Sequence, residues 1–60
     1  MKAAADLEPG DRFVWCGRLV QVVDITAAET RREGRWLNVA DGMVTHHLHY
    51  YDDETVEVPG

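Results

Sequence analysis

The sequence predicts an all-β domain, specifically a small five-stranded antiparallel SH3-like barrel. Short runs rich in β-branched and aromatic residues recur along the chain, and glycine-bearing turn dipeptides separate them. Five such runs within sixty residues favour closure, because a closed sheet removes most exposed strand edges.

The elements follow in order. Pro9-Gly10 signals a type II turn, since proline presets the first central dihedral and glycine accepts the positive φ of the second. The first strand, residues 12–16, carries Phe13, Val14 and Trp15, and the second, residues 19–26, carries three valines and an isoleucine. Gly17-Arg18 between them suits a type II′ hairpin. That hairpin pairs Trp15 with Val20 and Phe13 with Val22, and these four residues make one apolar face assigned to the core. The opposite face holds Val14, Cys16, Leu19, Gln21 and Val23, also largely apolar, so bending across the barrel must cover part of it or a second copy must pair with it. Residues 27–34 are polar without apolar periodicity and read as a loop. Asp41-Gly42 then joins strands 35–40 and 43–51 in the manner of a type I′ turn. Asp52-Asp53-Glu54 breaks the pattern before a short last strand, residues 55–58, which Pro59-Gly60 ends. The chain reads as one domain over residues 1–60, ordered from about 6 to 58 with frayed ends.

Composition limits what such a domain can do. A chain this short buries only about 60% of the surface its unfolded form exposes, and with Cys16 as its one cysteine it has no intramolecular disulfide. A core of this size supplies about 3–5 kcal/mol, little to maintain a strained catalytic site. Six basic residues against eleven acidic ones give a formal charge of −5, against general phosphate binding. Five of the six basic residues are arginines, and Arg31, Arg32 and Arg35 fall close together, so a local basic patch survives the acidic total. The first residues lack the apolar stretch of a signal peptide or membrane span, and a cytoplasmic protein with a reduced Cys16 is expected.

Asp6-Leu7-Glu8-Pro9-Gly10 and the run Gly17-Arg18-Leu19-Val20-Gln21-Val22-Val23-Asp24 resemble, in order and spacing, the N-terminal KOW-like domain of bacterial elongation factor P. The likeness extends in layout to Asp41-Gly42 and Val56-Glu57-Val58. It implies a small barrel. In that family the loop after the second strand carries a glycine-flanked, modified lysine that reaches into the ribosome. The matching stretch here has no lysine, with Arg31 and Arg32 near the position, and the family's OB-fold domains have no counterpart in these residues, so the resemblance does not imply elongation factor activity. Similar stand-alone barrels occur in small bacterial and phage reading frames, where an adaptor or regulator is the ordinary expectation.

Three constellations carry candidate chemistry. Across Asp41-Gly42, Leu37 pairs with His46, Val39 with Val44 and Trp36 with His47. One face then collects Leu37, Val39, Val44, Leu48 and Tyr50 as core, with His46 at its rim. The other presents Trp36, Asn38, Met43, Thr45, His47 and His49, a mixture of Trp, Met and His typical of a binding hot spot. Trp36 either anchors a partner there or folds under loop 27–34 and completes the barrel. His47 and His49 share a strand face, close enough for one metal, but without a placed third ligand no metal or cofactor is expected. Arg31, Arg32 and Arg35 beside Trp36 form the basic-aromatic cluster that an RNA- or ribosome-associated module would use, although Glu29 and Glu33 neutralise it locally. Cys16 has no histidine placed beside it and the chain has no serine, so no catalytic residue is expected. The reading is a cytoplasmic protein-binding adaptor, monomeric or homodimeric, with no membrane role. A KOW-like RNA-binding module is the alternative.

Overall fold

The computed structural model describes residues 1–27 and 34–59, and these are all-β apart from one 3-10 turn at Ala4–Asp6. The strands are β1 (Lys2–Ala3), β2 (Arg12–Trp15), β3 (Arg18–Ala27), β4 (Arg35–Asp41), β5 (Val44–Tyr50) and β6 (Thr55–Val56). They form a four-stranded antiparallel sheet in the order β2-β3-β4-β5 and a two-stranded ribbon of β1 and β6. Most of the expected loop, residues 28–33 with Arg31 and Arg32, lies outside the described residues.

The five-stranded closed barrel is thus corrected to two open sheets. β6 ends after two residues, and its neighbour Glu57 touches the main sheet only through a bridge to Val14, whose N–H donates to the Glu57 carbonyl at 2.7 Å. Pro59, lacking an N–H, cannot carry the ladder further. At the N-terminal end Lys2 pairs with Val56 and Ala3 with Thr55, and the Ala4 N–H donates to the Glu54 carbonyl at 2.8 Å.

Both hairpins turn at a dipeptide one residue away from the expected one. In the first, Cys16 (φ 52°) and Gly17 (φ 75°) are the central pair, the type I′ signature, and Phe13 pairs with Val20 while Trp15 pairs with Arg18. In the second, Gly42 (φ 62°) and Met43 are central, with positive φ only at the first, as in a type II′ turn. Asp41 stays in the ladder opposite Val44, where its carboxylate accepts the Arg18 Nε at 2.8 Å. That ion pair links the two hairpins and helps explain why Asp41 serves as strand rather than turn. Moving each turn by one residue shifts the pairing by two, so the faces keep their membership. The partners change: Leu37 faces Leu48, Val39 faces His46, and Trp36 faces His49.

The core is built from Ala4, Leu7, Phe13, Val20, Val22, Leu37, Val39 and Val56, with Trp15, Ile25, Leu48, Tyr50 and Val58 packed around it. Phe13 sits edge-on to Tyr50 at 6.0 Å. Burial pushes the Tyr50 hydroxyl above its ordinary value, and Glu54 and Cys16 add to the effect. Val44, expected in the core, is 55% exposed, because it lies at the hairpin tip beyond the packed residues. A bulge between Val22 and Asp24 sets the alternation of β3: Val22 pairs with Val39, whereas Ile25 pairs with Leu37. The extra residue turns Asp24 outward and Ile25 inward, and the Asp24 carboxylate accepts the Ile25 N–H at 2.9 Å.

Entry to β2 is fixed as the sequence implies. Gly10 takes φ 96°, the Asp11 N–H donates to the Glu8 carbonyl at 3.0 Å, and the Gly10 N–H donates to the Val22 carbonyl at 2.8 Å. The Asp11 carboxylate accepts the Glu8 N–H at 2.9 Å and pairs with Lys2 Nζ at 3.1 Å. The Glu8 bond, followed by Lys2, holds the Asp11 carboxyl below its usual value. A carboxylate with a lowered folded-state value contributes stability above its unfolded value and loses it as pH falls through the folded one. Carbon-detected titration should therefore place the Asp11 midpoint below the ordinary aspartate value, and Asp11→Asn should flatten the loss of melting temperature below about pH 4.

Gly34 opens β4 with φ 77°, and a Cβ there would run into the backbone carbonyl of Tyr50. The left-handed dihedral alone costs a non-glycine residue about 1–3 kcal/mol. Against a total of about 3–5 kcal/mol, Gly34→Ala should leave the chain largely unfolded by circular dichroism at 25 °C, whereas alanine at the open turn glycine Gly42 should cost less.

Candidate functional site

The antiparallel β4–β5 pair places its outward residues in register, with Trp36 opposite His49 and Asn38 opposite His47. From this register comes a continuous row of rings. Trp36 stacks on His47 with centroids 4.6 Å apart and planes 4° from parallel, and meets His49 at 4.8 Å and 60°. His49 in turn meets Tyr51 edge-on at 4.9 Å and 87°. Such contacts contribute about 0.5–1.5 kcal/mol each beyond burial, so the rings help to order one another. His47 Nδ1 lies 2.7 Å from Asn38 Oδ1, a contact in which the amide oxygen can only accept.

Trp36 remains 41% exposed and Tyr51 51% exposed. The structure brings Trp36, His47 and His49 together on one face, while residues 28–33, most of the loop under which Trp36 could alternatively fold, lie outside the described residues. Tyr51 was missed, yet alternation carries the signal: Tyr50 turns inward to Phe13, so its neighbour must turn outward.

Two expected members do not join the row. Met43 is fully exposed in the β4–β5 turn, beyond the Asp41–Val44 pair, which itself lies five residues, or roughly 17 Å at 3.3 Å per residue, from the Trp36–His49 pair. Arg35 precedes Trp36 and by the same alternation points to the other side of the sheet. There its Nη1 donates to the Leu7 carbonyl at 3.4 Å, and its buried Nε, without a hydrogen-bond partner, stands 3.8 Å from Asp52 Oδ1. Arg35 and Trp36 thus lie on opposite sides of the sheet, with Arg35 tied to Leu7 and Asp52, while Arg31 and Arg32, the other members of the expected basic-aromatic cluster, lie outside the described residues.

On the inward side His46 lies at the rim of the core as expected, its ring 4.6 Å from that of Trp15. Among the described residues no group of three or more His, Cys, Asp or Glu side chains could hold a metal ion, and no helix is long and apolar enough to cross a membrane. A surface hollow of about 330 Å³ lined by Lys2, Asp11, Arg12 and Val58 lies apart from the ring row.

Compared with known proteins, the chain matches no family model, and no curated protein or solved structure matches it significantly.

The stack makes a direct spectroscopic prediction. The face of Trp36 should move the His47 ring protons upfield in the proton spectrum, and Trp36→Ala should return them to ordinary positions. Because Trp36 is half exposed and outside the core, that substitution should cost no more than about 1–2 kcal/mol of stability, as read by urea denaturation.

Proposed function

We propose that the protein is a small, non-catalytic protein-binding adaptor, a relative in layout of the SH3-like and KOW-like barrels, that engages its partner through the row His47, Trp36, His49 and Tyr51. The observation that carries this reading is that four rings form an unbroken chain of contacts, His47–Trp36–His49–Tyr51, with Trp36 and Tyr51 about half exposed. Rings already ordered by one another lose little side-chain entropy on docking, and a tryptophan flanked by polar-tipped rings is the composition of an interface centre. Phosphate recognition is less well supported, since Arg35 points away from the row and the chain carries a formal charge of −5.

The test is capture from a bacterial lysate on the tagged domain, with and without nuclease, using the wild-type chain, Trp36→Ala and Trp36→Phe. The expected result is a protein retained after nuclease, lost with Trp36→Ala, kept in part with Trp36→Phe, and bound about equally at low and high salt. Loss of all bound material on nuclease treatment, or steep weakening with salt, would turn the reading to RNA.

A further inference from the structure

We infer that the free edge of β5 is a docking site for an extended, lysine- or arginine-bearing peptide segment, which adds to the four-stranded sheet as a fifth strand. The inference deepens the adaptor reading and rests on it.

Each other strand edge in the described fold is dealt with. β3 and β4 are interior, the outer side of β2 is bridged by Glu57, and β1 and β6 are two residues long. β5 differs. It runs seven residues from Val44 to Tyr50 in unbroken register with β4, and among the described residues no strand pairs with its other side. Edges left open in soluble proteins are ordinarily blunted by charged side chains, proline, a bulge or extreme shortness. The run Val-Thr-His-His-Leu-His-Tyr has no Lys, Arg, Asp, Glu or Pro, and the bulge of this sheet lies in β3. What fits a row of alternating backbone donors and acceptors is another extended backbone.

Charge and alternation specify the occupant. Residues 42–54 contain no lysine or arginine, and β5 runs directly into Asp52-Asp53-Glu54, of which, among the described residues, Asp52 alone is paired with a cation, Arg35. A second copy would bring together two chains of formal charge −5, which disfavours it, whereas a basic segment is complementary. Side chains of an added strand would fall alternately beside Val44, Leu48 and Tyr50 on the inward side and beside Thr45, His47 and His49 on the outward side. The segment should therefore alternate apolar with polar or cationic residues.

The probe is an end-blocked heptapeptide of alternating lysine and valine, compared with its glutamate–valine counterpart and with a lysine–valine version N-methylated at every residue, which keeps the charge and removes every backbone donor. Amide hydrogen exchange and chemical shifts of the intact chain are followed. Docking at the edge requires that the lysine–valine peptide slow exchange within β5, that the glutamate peptide not do so, and that N-methylation weaken binding at least tenfold. Equal binding of the N-methylated peptide, or absence of protection in β5, overturns the proposal. If the peptide shifts the Trp36 signals and leaves β5 amides unprotected, the edge is rejected while the ring row stands as the contact face. Protection of β5 that rises with protein concentration alone assigns the edge to a second copy and likewise overturns the basic-peptide occupant.

Discussion

The bulge in β3 is the constraint on which the rest of this fold depends. Ahead of it the strand must turn Val20 and Val22 toward Phe13, and behind it the strand must turn Ile25 toward Leu37. Strict alternation cannot do both, because it would drive Asp24 into a core with no buried polar residue among those described. A slip of one residue flips every side chain on the strand. One added residue at Val23 therefore decides that Leu37 and Val39 are inside and that Trp36 is outside. The ring row on β4 and β5 is a consequence of that bend two strands away.

Much of this was legible in the residues. The strand runs, the Glu8-Pro9-Gly10-Asp11 turn and the identity of the core face all follow from alternation and turn chemistry, and the core survives the misplaced turns because the pairing moves by an even number. Less legible were features set by contacts between distant segments. Asp41-Gly42 has the local composition of a type I′ turn, but Asp41 is held in the ladder opposite Arg18, and a strand-to-strand ion pair leaves no mark in a dipeptide. Cys16 at positive φ is similarly invisible, since only glycine, asparagine and aspartate advertise that conformation. The bulge did leave a trace: three apolar positions among Val20, Val22 and Val23 followed by Asp24 and Ile25 interrupt the alternation. The barrel failed to close for a simple reason, that β6 is too short to reach around the core.

For the candidate site, adjacency in sequence misled where adjacency across strands informed. Arg35 and Trp36 are neighbours in the chain and opposites in the sheet, so the pair they seemed to make is divided between the contacts of Arg35 with Leu7 and Asp52 and an exposed face. His47 and Trp36 are eleven residues apart and stack nearly parallel. A face assembled from cross-strand neighbours is rigid in proportion to its sheet, which suits a domain whose modest stability leaves little for ordering a mobile site on binding.

The pairing of Lys2 with Val56 brings the start and finish of the ordered chain side by side on one short ribbon. A unit whose two ends meet can be spliced into a surface loop of another fold without prying that host apart, or reopened at Gly42 with its old ends joined. The same seam makes the ribbon a natural latch, for Ala4 and Val56 belong to the core and parting the two ends would uncover the inner face of the four-stranded sheet.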